Sequence, residues 1–197
     1  MLEMQRLVLG VCATNCYLVR TKEGVFVIDP ADDAPAIGNA LAAMGEQRPT
    51  VLLTHAHFDH ILALDGLNAR AVYAHPAEEA ALRDPRRNAS AQLGMPYAAA
   101  SPLTPLEDGE RIGPFVALHT PGHRPGCLCF YAQEQGVLFS GDTLFCGAYG
   151  RLDLPEAQPE RMRGSLERLF ALPPETIVYP GHGEATTIGQ EVEGWGW

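Results

Sequence analysis

The chain has 197 residues, 46% of them hydrophobic, which suffices for a full core and fits one domain. Fourteen basic residues against 24 acidic ones give a net charge of −10, which argues against a phosphate-backbone binder and hence against nucleic acid as a partner. No apolar run approaches the ~20 residues of a membrane span, and the first six residues lack a basic and then apolar leader, so a cytoplasmic protein with no membrane partner is expected.

In chain order, residues 6–9, 15–20 and 25–28 read as three strands of an antiparallel meander, the third ending at Asp29-Pro30. The spacing of Ile37, Leu41 and Met44 predicts a helix over residues 34–44, ended by Gly45. Val51-Leu52-Leu53 is a short buried strand opening into a polar loop at Thr54-His55. A short helix is expected from Asp59 to near Gly66, then a strand at 71–74 and a proline-started helix over 76–82. Residues 83–110 carry no clear period and read as a long, partly mobile surface segment. Strands resume at 115–118, 127–131 and 137–140, followed by a helix over 159–172 and a strand at 176–179. The five cysteines are an odd number without zinc-finger spacing and are expected as reduced thiols acting as small apolar fillers.

Chemistry concentrates at the ends of these strands. His55, His57, Asp59 and His60 fall within six residues, and Gly122-His123, Gly141-Asp142 and Gly181-His182 each add one more ligand-type side chain in the turn after an apolar run. Imidazole and carboxylate suit zinc, iron and manganese, and seven such groups are enough for two adjoining sites. A rigid strand fixes each position while the following loop frees the side chain. Asp29, at another strand end, is placed to orient a ligand histidine through its second ring nitrogen, or to cap the turn before Pro30. His75 and His119 fall outside the pattern and read as hydrogen-bonded structural histidines.

Thr54-His55-Ala56-His57-Phe58-Asp59-His60, Thr120-Pro121-Gly122-His123, Ser140-Gly141-Asp142-Thr143-Leu144-Phe145 and Pro180-Gly181-His182-Gly183, in that order, resemble the metallo-β-lactamase superfamily. Gly150-Arg151-Leu152-Asp153-Leu154-Pro155 and Thr186-Thr187-Ile188-Gly189 also look like the short glyoxalase II-like hydrolases of that family. The resemblance implies a four-layer αββα sandwich of two mixed β-sheets, formed by residues 1–197 as one domain without the helical C-terminal domain of full-length glyoxalase II. It implies two divalent metal ions, zinc first and iron or manganese as alternatives. His55, His57 and His123 would hold one, Asp59, His60 and His182 the other, and Asp142 would bridge them, with Asp59 also the catalytic carboxylate.

A metal-bound hydroxide would then attack a thioester, a 2-hydroxyacyl-glutathione in the first instance, in a monomer or homodimer. Arg151 stands where the family carries a basic, glutathione-facing side chain, or else it is tied to Asp153. Asp153 and Glu184 occupy places where glyoxalase II enzymes have tyrosines, and the tail bearing Trp195 and Trp197 is unlike theirs. Two other readings use the same ligands. Persulfide dioxygenases of the superfamily hold a single iron through residues matching His55, His123 and Asp142, and Pro125-Gly126-Cys127 resembles their sequence. The metals could also be structural supports in a binding module, although structural sites are usually closed tetrahedra.

Overall fold

The computed structural model describes residues 3–196, so Trp197, whose role the sequence left open, lies outside the described residues. Its first half forms β1 (Glu3–Leu9), β2 (Thr14–Thr21), β3 (Gly24–Ile28), α1 (Ala34–Ala43), β4 (Thr50–Leu52), β5 (Ala71–Ala74), α2 (Glu79–Arg83) and β6 (Thr104–Pro105). The second half forms β7 (Arg111–Ile112), β8 (Phe115–His119), β9 (Leu128–Ala132), β10 (Val137–Gly141), α3 (Pro159–Phe170), β11 (Ile177–Pro180), β12 (Thr186–Thr187) and α4 (Ile188–Trp195). Strands β1 to β6 lie in sequence order in one six-stranded sheet, and β12 to β7 in reverse order in the other. Both sheets are mixed: β1, β2 and β3 pair antiparallel and β3, β4, β5 and β6 parallel, while β10 runs parallel to β11 and antiparallel to β9.

The layering follows from the two-residue period of strand side chains. Tyr17, Val19, Phe26, Ile28 and Leu52 from the first sheet meet Leu128, Phe130, Val137 and Phe139 from the second in one buried cluster. Their neighbours in sequence point the other way. Cys16, Leu18, Val25, Val27 and Val51 pack under Ile37 and Leu41 of α1 and Leu82 of α2. On the far side, Cys129, Tyr131, Leu138 and Val178 pack under Met162, Leu166 and Leu169 of α3 and Ile188 of α4. Three cores between four layers make the αββα sandwich expected from the sequence, and they explain why these strands are apolar on both faces.

Several local expectations need correction. The short helix expected after Asp59 is two 3-10 turns, Phe58–His60 and Leu64–Gly66. Residues 83–110 are not a loose surface segment. Asn88, Ser90, Ala99 and Leu106 are buried, Asn88 Nδ2 donates to the Tyr97 carbonyl, and β6 joins the first sheet. Polar side chains rather than an apolar period fix this stretch, which is why hydrophobic patterning does not reveal it. Cys16, Cys127 and Cys129 are buried as expected of fillers, whereas Cys12 and Cys146 are exposed because both sit in turns. Among the described residues no helix is long and apolar enough to cross a membrane.

Candidate metal centre

The parallel pairs place four strand ends along one edge of the sandwich. Ile28 lies beside Leu52 in one sheet, Gly141 beside Pro180 in the other, and Thr14 at the start of β2 bridges to His182. His55 and His57 leave the end of β4, and the 3-10 turn after them carries Asp59 and His60. His123 follows β8, Asp142 follows β10 and His182 follows β11. All seven sequence-predicted ligands therefore converge from loops of both sheets.

Their ligand atoms form three overlapping groups, His55–His57–His123, His55–His60–Asp142 and Asp59–His60–His182, each with all atoms within 4.8 Å of one another. His57 Nδ1 lies 3.1 Å from His55 Nε2 and 2.8 Å from His123 Nε2. Asp142 reaches both halves: its Oδ2 is 3.5 Å from His123 Nε2 and 3.6 Å from His182 Nε2, and its Oδ1 is 3.4 Å from His60 Nε2. Asp59 Oδ2 is 3.3 Å from His182 Nε2.

The outward ring nitrogens are committed elsewhere. His60 Nδ1 donates to Asp29 Oδ2 at 2.9 Å, His123 Nδ1 to the Arg151 carbonyl at 2.8 Å, and His182 Nδ1 to the Cys12 carbonyl at 3.1 Å. Thr54 gives its own hydrogen to Asp29 Oδ2 and so accepts from His55 Nδ1 at 3.0 Å. Asp29 thus orients two histidines of the cluster, one directly and one through Thr54, from a left-handed backbone conformation (φ +52°) that aspartate tolerates better than most residues. This is the orienting alternative of the sequence reading.

With these four outer nitrogens engaged, the inner ones are left to face a cation. Buried His60 Nε2 and Asp142 Oδ1 have no hydrogen-bond partner, a costly state that a cation relieves. The donor set and these orphaned atoms fit divalent metal ions. In the three-histidine set the protonation states point the same way, whereas at His60 a proton stands in for the cation. Burial, with neighbouring cationic groups adding to it, pushes His55 and His57 well below the usual imidazole range and keeps them neutral. Burial likewise dominates at His123 and lowers it. At His60 burial is outweighed by Asp59, Asp142 and Asp29, which hold it well above that range. Burial would raise the Asp142 carboxyl, but His60, His123 and His182 bring it down to about 2.

The remaining predicted residues fall outside the cluster. Arg151 points to solvent, 61% exposed, and makes a two-pronged pair with Asp153 at 2.7 and 2.8 Å, while its carbonyl holds His123. Glu184 pairs with Arg6 at 3.1 Å. His75 and His119 stack on each other 4.2 Å apart, as structural histidines. Sequence reasoning missed Thr14, whose Oγ1 donates to Asp59 Oδ2 at 2.9 Å, and the carbonyls of Cys12 and Arg151. Thr14 could have been suspected as a hydroxyl at a strand start, but backbone acceptors leave no mark on residue type.

Residues 9–182 match the family described as the metallo-beta-lactamase superfamily. The chain is 35% identical over 196 residues to the probable metallo-hydrolase YqgX of Bacillus subtilis, covering 95% of this chain and 93% of that protein. It is 34% identical over 170 residues to a hydroxyacylglutathione hydrolase of Aeromonas salmonicida, covering 84% of this chain and 59% of the relative. Among solved structures, BLEG-1, described as a B3 metallo-beta-lactamase, superposes with a TM-score of 0.89 at 39% identity over 96% of each chain. TTHA1623 in a di-iron-bound form superposes at 0.86 and 41% identity, over 95% of this chain and 96% of that one. ETHE1 from Myxococcus xanthus superposes at 0.74 and 25%, over 96% and 81%. The chain belongs to the metallo-β-lactamase superfamily.

Proposed function

We propose that this protein is a binuclear metallohydrolase that cleaves a thioester, with a 2-hydroxyacyl-glutathione as the first substrate to test. The observation that carries the reading is the convergence of seven ligand atoms in two adjoining sets that share Asp142. His55, His57 and His123 would hold one divalent cation, and Asp59, His60 and His182 the other. Bound there, the cations supply an acidified water and an electrophile for the substrate carbonyl. Zinc is the first expectation, and iron is the alternative that the di-iron form of TTHA1623 supports.

The chain's own residues do the rest. Asp59, held on one side by Thr14 Oγ1, is the catalytic carboxylate that accepts a hydrogen bond from the attacking water. Asp29, Thr54 and the Arg151 carbonyl fix the rings so that no ligand has to turn during reaction. A thiolate leaves without an acid, so the lack of an assigned proton donor is no obstacle. Arg151 would grip a glutathione carboxylate by exchanging it for Asp153, which exposure on both sides makes easy.

A second reading, hydrolysis of a β-lactam amide, is favoured by the likeness to BLEG-1. The test is metal content by elemental analysis on protein purified without added metal, with turnover of lactoylglutathione, nitrocefin and glutathione persulfide. About two metals with thioester turnover, both lost in Asp142→Ala, support the proposal. Nitrocefin turnover alone moves the assignment to the lactamase. One iron per chain with oxygen uptake on the persulfide moves it to the dioxygenase.

A further inference from the structure

Glu78 lies at the end of the 3-10 turn Pro76–Glu78 and is not one of the seven candidate ligands, yet its side chain is fully buried. Oε2 accepts from the backbone N–H of Ala56 at 2.9 Å, and Ala56 stands between His55 and His57. Oε1 accepts from the backbone N–H of Gly126 at 3.0 Å, in the loop that carries His123. A Cβ on Gly126 would lie 2.7 Å from Glu78 Cγ, so this loop rests directly on the carboxylate. One side chain therefore holds both stretches of backbone that present the three-histidine set.

Glu78 is itself fixed. Arg124, next to His123 and also fully buried, donates through Nε to Glu78 Oε2 at 2.6 Å. Its other arms reach the Arg87 carbonyl at 3.0 Å and Glu156 Oε2 at 2.8 Å. Each of the three guanidinium nitrogens has an acceptor, as a buried charge requires. Among the described residues neither Glu78 nor Arg124 hydrogen-bonds to Asp59, His60, Asp142 or His182. That second set is steadied by Thr14, Asp29 and the Cys12 carbonyl instead.

We infer that Glu78, clamped by Arg124, is a positioning residue that sets metal affinity at the three-histidine site and leaves the other site alone. The inference rests on the metal-binding reading above. A purely structural ion pair would weaken both sites together through the fold, so the division between sites is the decisive readout.

Zinc dissociation constants are measured by competition with a chromophoric chelator in two backgrounds, with and without Glu78→Gln. His182→Ala keeps the three-histidine site, and His57→Ala keeps the other. The expected result is a rise of about 10–100-fold in the first background and no change in the second, the range typical of lost support behind a ligand. Cobalt-substituted protein should show altered d–d bands in the first background only. Equal weakening in both backgrounds, or none in either, would overturn the inference. If Glu78→Gln does not fold, Glu78→Gln with Arg124→Met removes both charges together, and the glutamine oxygen can serve only one of the two N–H groups, so the same contrast applies. A wild-type chain that takes up no zinc overturns the metal reading, and the inference with it; a wild-type chain that takes up two while Glu78→Gln shows no difference between sites overturns the inference alone.

Discussion

Gly181 stands so close to the cluster that a Cβ there would collide with Asp142 Oδ1 and lie 2.8 Å from His60 Cε1. The shared carboxylate can face both ligand sets only because this position has no side chain. Gly181→Ala is expected to push the Asp142 carboxylate and the His60 ring aside, so that metal bound per chain drops below the wild-type value by elemental analysis, with some loss of stability because the Gly141 backbone also lies close. Arg151 is a second test at this scale. Arg151→Ala should raise KM for lactoylglutathione with little change in kcat, because the side chain is exposed and the contact to His123 is made by the carbonyl, which alanine keeps. An unchanged KM would rule out a glutathione grip at this position. The seven side chains that converge in the cluster, and Asp29 beside them, were legible in the sequence, because histidine and aspartate after apolar runs are chemically loud. Glu78, Arg124 and Thr14 were not, since an acid in a short helix or an arginine after a histidine usually means an ordinary surface.

Short elements show where pattern reading stops. The 3-10 turns at 58–60 and 64–66 have three residues per turn and run too briefly for any period to register. Helix α4 spans eight residues interrupted by Gly189 and Gly194, yet Glu191 on it is buried and accepts from Gly147 N, Thr186 Oγ1 and Trp195 Nε1, tying the loop after Asp142 to the last helix. The segment 83–110 is held in a similar way. Asp65 accepts from Ala100 N at 2.8 Å and from Ser101 N and Oγ at 2.9 and 2.6 Å. Partial burial would raise its pKa, but these donors outweigh it and hold the carboxyl below its ordinary value. A depressed carboxylate contributes stability above its unfolded pKa, near 3.9, and that contribution is lost as pH falls through the folded value. Asp65→Asn should therefore flatten part of the acid limb of a stability profile below about pH 4 and leave its shape above pH 6 unchanged. Hydrogen exchange at Ala100 and Ser101 should quicken in the same variant, and unchanged protection would mean that other contacts fix this stretch.

Across the whole molecule, the longer strands and helices α1, α2 and α3 were legible because strands apolar on both faces require two layers of cover, whereas α4 and the two-residue strands β6, β7 and β12 carried no readable period. How the strands divide between two sheets was not, since pairing depends on contacts distant in sequence; that part came from the family resemblance. The seven candidate ligands join loops from both sheets, so cations bound as proposed would cross-link the two halves of the sandwich. Chelation should lower the Tm of metal-loaded protein by about 5–10 °C if free metal stood near 100 times its dissociation constant, from a linkage of about 2.7 kcal/mol. An identical Tm with and without chelator, at confirmed loading, would mean that the sheets are equally well joined without the cations.

The order of the ligands along the chain has a consequence for its synthesis. His55, His57, Asp59 and His60 leave the ribosome early and close together, whereas His123, Asp142 and His182 follow at wide intervals, each behind its own strand. A nascent chain carries an open-sided quartet until the second sheet has formed over it. Only when residue 182 has emerged and β11 has docked beside β10 can both ligand sets close. On the proposed reading, full metal retention would be a timestamp: it would mark a chain whose last parallel strand is in place.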